Sequence, residues 1–234
     1  MGIVDILIII FILSFGVLGS KRGFFKQTVT TVGSILVFVL AYYFKDGVAN
    51  FLTFNLPFFN FKGEILGLTS LNIIMYQLIA FLLMVLIFSG ILAVIIKITG
   101  IFEKILRLTI VLGIPSKILG FILGLVEGYV ITYIILFILM LPILKIDIIN
   151  NSSFARPILK SSPVISNIVG TTKDTCLSIY DLVNDYSKDK DKDKFNKEAI
   201  RIMLSNNMIT KSYVEELINK GKLDKSYGGL LWYM

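Results

Sequence analysis

Four stretches of the chain are apolar for long enough, and charged rarely enough, to read as helices that cross a bilayer. A hydrocarbon core of ~30 Å needs about 20 helical residues at ~1.5 Å of rise each. Residues 3–19 form the first such stretch, interrupted only by Asp5. Residues 27–44 form the second, uncharged throughout and closing on Tyr42 and Tyr43, whose amphipathic rings suit the membrane surface. The third, 72–96, lies inside a run from Ile65 to Ile96 without a charge, and the fourth, 118–144, encloses Glu127.

The intervening pattern is shorter in period. Segments one and two are so close that they predict an antiparallel hairpin turning at Arg22-Gly23-Phe24. From Asn50 to Lys62, Phe51, Phe54, Phe58, Phe59 and Phe61 surround Pro57, as expected of an interfacial or partly re-entrant loop. Ile101, Phe102, Ile105 and Leu106 recur at helical spacing among Glu103, Lys104 and Arg107, which predicts an amphipathic helix over 100–112 on the inner surface. Beyond the fourth span, 146–187 keeps apolar residues at steps of three and four and predicts an amphipathic helical tail. Lys188 to Lys194 alternates Lys and Asp and reads as a solvated linker. Residues 195–234 hold a short helical pair, the second helix opened by a capping box from Ser212 to Glu215. The expected fold is all-α: a polytopic membrane domain over 1–145, with four transmembrane helices, and a small helical extracytoplasmic C-terminal tail.

Composition sharpens this picture. With 56% hydrophobic and 17% charged residues and a mean hydropathy of +0.83, a water-soluble single domain is excluded. Basic residues orient the spans. The loops after segments one and three carry seven, including Lys21, Arg22, Lys104, Arg107 and Lys117, against Lys45 and Lys62 between segments two and three. That asymmetry puts the first and third loops in the cytoplasm and both termini outside. A signal peptide would place its positive charge before the apolar run, whereas here it follows. The net charge of +7 does not indicate nucleic acid, because much of it sits in the inner loops and the tail is nearly balanced. The absence of histidine excludes histidine-based triads and imidazole metal sites, and the single Cys176 cannot form an internal disulfide. No cofactor or metal is expected. The lone thiol is also a labelling handle, predicted to react with a membrane-impermeant maleimide from outside.

Two features within the spans stand out. Gly120, Gly124 and Gly128 recur every four residues and bare one helical face to close approach by another helix. Gly16, Gly19 and Gly23 offer a complementary surface, although spacing does not say which helices meet. Glu127 is the one ionisable residue near mid-membrane, where charge costs several kcal/mol unless neutralised, paired or wet. It is the candidate functional residue, for proton or ion handling. The plainer reading is a protonated acid hydrogen-bonded between helices. Asp5 and Arg22 lie near opposite surfaces, can reach headgroups, and need not pair with it.

The opening run headed by Asp5 and followed by Gly19-Ser20-Lys21-Arg22-Gly23-Phe24, together with Ile118-Leu119-Gly120-Phe121-Ile122-Leu123-Gly124-Leu125-Val126-Glu127-Gly128, resembles the colicin V production protein (CvpA) family over roughly 1–145. The resemblance implies a bacterial inner-membrane protein supporting production or export of a peptide toxin. Related domains precede extracytoplasmic serine proteases, but this tail lacks the protease histidine. The family often has arginine where this chain has Glu127, which argues against a mechanism needing positive charge there. The leading expectation is therefore a non-enzymatic membrane protein that serves toxin export and envelope homeostasis, with the lipid bilayer and secretion or envelope proteins as partners. The alternative is a small transporter or channel with Glu127 in its pathway. Four spans leave little room for an internal pore, so that reading requires a homo-oligomer. An intramembrane Ser-Lys hydrolase finds no serine placed beside a lysine at membrane depth.

Overall fold

A computed structural model describes residues 2–61, 67–106, 114–144, 152–161, 163–189 and 191–231. Among them there is no strand. Eight α-helices follow one another, α1 (Ile3–Arg22), α2 (Phe24–Asn55), α3 (Leu71–Leu106), α4 (Ile114–Leu139), α5 (Ala155–Ser161), α6 (Pro163–Asp189), α7 (Lys192–Ser205) and α8 (Lys211–Asn219), before a final 3-10 turn at Lys225–Leu231. Four segments are long and apolar enough to cross a membrane: Ile3–Arg22, Phe24–Asn55, Leu71–Ile98 and Ile114–Leu139. The protein is an all-α membrane protein.

Several boundaries differ from the sequence pattern. Helix α2 continues through Lys45 and Asp46 to Asn55, so Phe51 and Phe54 are helical and not part of a loop. Helix α3 continues to Leu106, and residues 100–106 are its last turns, not the start of a separate surface helix; 107–112 lie outside the described residues. Gly100 is the one weak helix former there, and a single internal glycine costs only about 1 kcal/mol relative to alanine. The solvated linker over 188–194 is largely helical. Asp191 caps α7 by accepting from the Lys194 N–H at 3.0 Å, Asp193 suits the positive end of that helix, and Phe195 packs on Tyr186 at 5.6 Å between ring centres. Thr210, not Ser212, caps α8, accepting from the Tyr213 N–H at 3.2 Å. The turn between α1 and α2 sits at Gly23, whose φ of 81° is open to glycine and strained for other residues.

The chain divides into two compact units. The first comprises Met1–Tyr43, Leu82–Ile138 and Asp147–Ser162; the second comprises Phe44–Phe81, Leu139–Ile146 and Pro163–Met234. The division therefore does not fall at residue 145, because the last turns of α2 and the first turns of α3 belong to the same unit as the tail. The core of that unit includes Leu71 and Ile74 of α3, Ile179 and Val183 of α6, Ile200 and Met203 of α7 and Leu217 of α8, all buried. In the first unit the outward side chains are Leu, Ile and Val along α1, α3 and α4, the arrangement that lipid requires.

Candidate polar site between α1, α2 and α4

In the first unit, α1 and α4 meet at backbone distance. A Cβ placed on Gly19 would lie 2.2 Å from the Gly120 carbonyl oxygen, one on Gly120 2.4 Å from that of Gly19, and one on Gly124 2.2 Å from that of Phe15. A Cβ on Gly128 would meet Phe15 at 2.9 Å, and one on Gly16 would meet the Phe121 ring at 2.7 Å. Real Cβ atoms do not approach so closely, so these glycines are what permits the contact. Where lipid tails are as apolar as leucine, close approach of this kind replaces the hydrophobic effect as the force between helices.

Helix α2 lies beside α4 in parallel register. Thr31 Oγ1 donates to the Leu123 carbonyl at 3.2 Å, Ser34 Oγ donates to Glu127 Oε1 at 3.2 Å, and near the helix starts the Phe24 N–H donates to Ser116 Oγ at 3.0 Å. Glu127, only 5% exposed, is thereby level with the first third of α2. Its Oε2 accepts from Gln27 Nε2 at 2.6 Å and from the Arg22 guanidinium at 3.4 Å. Gln27, itself fully buried, also donates to Thr31 Oγ1 at 3.0 Å and accepts from Arg22 at 3.3 Å. Five side chains from α1, α2 and α4 thus form one connected polar group.

Arg22 is the correction here. Expected at the membrane surface without need of Glu127, it instead turns inward from the end of α1 to the carboxylate, and remains about a third exposed (32%). The reason is desolvation: a carboxylate among apolar helices costs less with a cation and two neutral donors against it than with any one of them. Asp5 is corrected too. It is fully buried, accepting from Ser152 Oγ at 2.5 Å and from the Phe154 N–H at 3.1 Å through Oδ1, and from the Gly2 N–H at 2.8 Å through Oδ2. Ser152 in turn accepts from the Ala155 N–H at 3.0 Å, so this aspartate ties the start of α1 to the cap of α5. Lys21 is exposed in the last turn of α1 and Lys117 is exposed in the first turn of α4; Lys104 falls in the last turns of α3, and Arg107 lies outside the described residues.

Sequence reasoning passed over Gln27, Thr31 and Ser34. Their signal was present, since positions i, i+4 and i+7 put three polar residues on one face of an uncharged span, although Thr28 and Thr30 beside them blur the pattern. In the second unit it passed over Asn196 and Lys222. Asn196 Oδ1 accepts from both the N–H and the hydroxyl of Ser70, at 2.9 and 2.8 Å, while its Nδ2 donates to the Gly67 carbonyl at 3.1 Å, which caps the start of α3. Lys222 Nζ donates to the carbonyls of Thr53 and Leu56 and stands 5.1 Å from the centre of the Phe58 ring, which places a cation at the carbonyl end of α2. Burial lowers the affinity of that amine for its proton, with Lys220 adding to the effect. Cys176 is buried, and desolvation pushes its thiol up to about 12, so the expected labelling from outside does not follow while this unit stays folded.

Among the described residues no group of three or more His, Cys, Asp or Glu could hold a metal ion. The arrangement can bind helices together and hold one buried carboxylate beside a partly wet guanidinium; it presents no nucleophile with its base. The family model for the colicin V production protein matches residues 4–163. No curated protein and no solved structure matches the chain.

Proposed function

Because the chain belongs to the colicin V production protein family, we propose that it is a non-enzymatic, multi-pass protein of the bacterial inner membrane that supports production or export of a peptide toxin and the upkeep of the envelope. Its cytoplasmic side holds the loops rich in Lys and Arg, and both termini face the extracytoplasmic side. The observation that carries the non-enzymatic reading is the polar group at Glu127. Its donors are spent on joining α1, α2 and α4, as expected of a scaffold whose helices must keep one arrangement while partner proteins bind. Deleting the gene in a toxin-producing host and returning either the wild-type chain or Gly124→Leu tests this. The wild-type chain is expected to restore toxin release and the glycine variant to fail; unchanged release on deletion contradicts the proposal.

One observation favours a second reading, a small oligomeric transporter with Glu127 in the pathway. Arg22 remains about a third exposed, so the polar group opens to the surface through its guanidinium. Liposomes holding the purified chain would then show a proton or ion flux that Glu127→Gln changes, and a flux indifferent to that substitution removes the glutamate from the pathway.

A further inference from the structure

The outward face of α2 carries an observation that the family does not account for. Phe25, Val32, Leu36, Leu40, Tyr43, Phe44 and Phe51 are all exposed, Tyr43 at 66% and Phe51 at 65%. At 100° per residue they fall within one arc of about 120°, and exposed Gly47, with nothing near its α-carbon, lies in the same arc. The charges that end the apolar run in the sequence lie off this stripe. Lys45 is on the opposite side of the helix, 8% exposed and paired with Asp46 at 2.6 Å, and Asp46 flanks the arc. From Phe25 to Phe51 the stripe measures about 39 Å at ~1.5 Å per residue. That exceeds the hydrocarbon core of ~30 Å and approaches the ~40–45 Å of a bilayer with its headgroup layers.

We propose that the lipid-contacting surface of α2 runs the whole length of this stripe, so that Phe51 sits in the headgroup layer of the outer leaflet and the bilayer boundary is set by the helix face, not by the first charges in the sequence. Three observations converge on lipid as the occupant. The stripe is continuous with the part of α2 that crosses the membrane. Its ends are aromatic, with Phe25 at one and Tyr43, Phe44 and Phe51 at the other, and of these Tyr43 is of the amphipathic type that interfacial belts use. The adjoining connection presents Leu56 outward as well, and Phe59 is half-exposed while one side of its ring packs on Tyr76 at 5.4 Å between centres; Phe54 turns inward to Tyr213 at 5.0 Å. Of the two charged residues at that depth, Lys45 is turned inward and pairs with Asp46, whose side chain stays 60% exposed beside the stripe.

The chain has one tryptophan, Trp232, which makes a direct test simple. Full-length protein carrying Trp232→Phe with either Phe51→Trp or Leu36→Trp is reconstituted in phosphatidylcholine vesicles containing lipids brominated near the headgroup or deep in the acyl chain. The Phe51→Trp emission is expected to be blue-shifted and quenched more by the shallow bromines than by the deep ones, with the order reversed for Leu36→Trp. Emission at the wavelength of a wet indole, quenched by aqueous iodide, would show that the stripe ends before Phe51. Blue-shifted emission that no brominated lipid quenches would show protein there, such as a second copy. Spin-labelled Phe51→Cys in a Cys176→Ser background gives an independent reading through its relative accessibility to oxygen and to a water-soluble nickel chelate; a nickel preference overturns the proposal.

Discussion

The two compact units turn opposite kinds of side chain outward. In the first, glycine backbone, Gln27, Thr31 and Glu127 share the interior with apolar side chains such as Ile8, Val37, Tyr133 and Leu136, and the exterior is largely leucine and isoleucine. In the second, the interior is Ile179, Ile200, Met203 and Leu217, and α7 and α8 turn lysines, Arg201 and Glu215 outward. A solvent that is itself apolar explains the inversion. Where lipid surrounds a helix, moving leucine from lipid to protein gains almost nothing, so association comes from close backbone contact and from polar groups that lipid cannot satisfy. Where water surrounds it, burial of apolar area contributes ~25 cal/mol per Å² and carries the fold.

The largest effect that could break this contrast is steric. Gly124→Leu or Gly19→Leu forces a side chain onto backbone atoms, beyond the overpacking that typically costs about 1–3 kcal/mol, and the native pairing of α1 with α4 is expected to be lost. Gly90→Leu, on α3 with open space around its α-carbon, serves as the control in the same unit. Unfolding of the purified proteins in mixed micelles should separate the first two from the third; equal behaviour would mean that close approach does not hold the first unit together. In the second unit the corresponding change is Met203→Ala, expected to cost about 2–5 kcal/mol through the cavity it leaves, in the same assay.

Polar ties come next. Removing Arg22 or Glu127 singly leaves a buried partner short of its bonds and is expected to cost about 1–3 kcal/mol, while the double variant Arg22→Leu/Glu127→Leu recovers part of the loss. A double-mutant cycle measures the coupling, and additive losses would show that the pair does not interact. Asn196→Ala strips the start of α3 of its cap in the other unit, at about 1–2 kcal/mol, with faster hydrogen exchange expected at Ser70.

The smallest effect concerns pH and is confined to the second unit. Burial raises both the Cys176 thiol and the Tyr213 hydroxyl to about 12. Their neutral forms are therefore favoured by folding, and this contribution holds below the unfolded values of about 8.5 and 10 and is lost as pH climbs towards 12. An aromatic thiol reagent should leave Cys176 unmodified at neutral pH, react increasingly in alkali, and react fully in denaturant. Rapid reaction at neutral pH would show that this core is open.

The four crossings were legible in the sequence because a charge-free run of sufficient length has few other meanings, and the turn at Gly23 was legible because an arginine-glycine step follows the first run directly. The partner of the glycine face was not. Gly120, Gly124 and Gly128 announce that some backbone comes close, but a periodicity says nothing of its owner. Arg22 was assigned to the surface by its place in the chain, a rule that ignores how far a guanidinium reaches when an unpaired carboxylate waits below. Asp5 meets a serine on a distant part of the chain, Ser152, and local pattern cannot see such a contact. The tail misled in the other direction. Its alternating Lys and Asp are exposed over 191–194 as expected of solvated residues, but they open α7 with Asp191 as its cap instead of forming a plain linker.

The inversion itself is open to a single direct measurement. With Cys176→Ser as background, nitroxides at Leu86→Cys on α3, an outward leucine exposed by 70%, and at Lys211→Cys on α8, also outward, are compared in vesicles for accessibility to oxygen and to a nickel chelate. Leu86 should prefer oxygen, which partitions into lipid, and Lys211 should prefer nickel, which stays in water. A nickel preference at Leu86 would mean that the outward leucines of the first unit face water, and the account of how that unit is held together would fail.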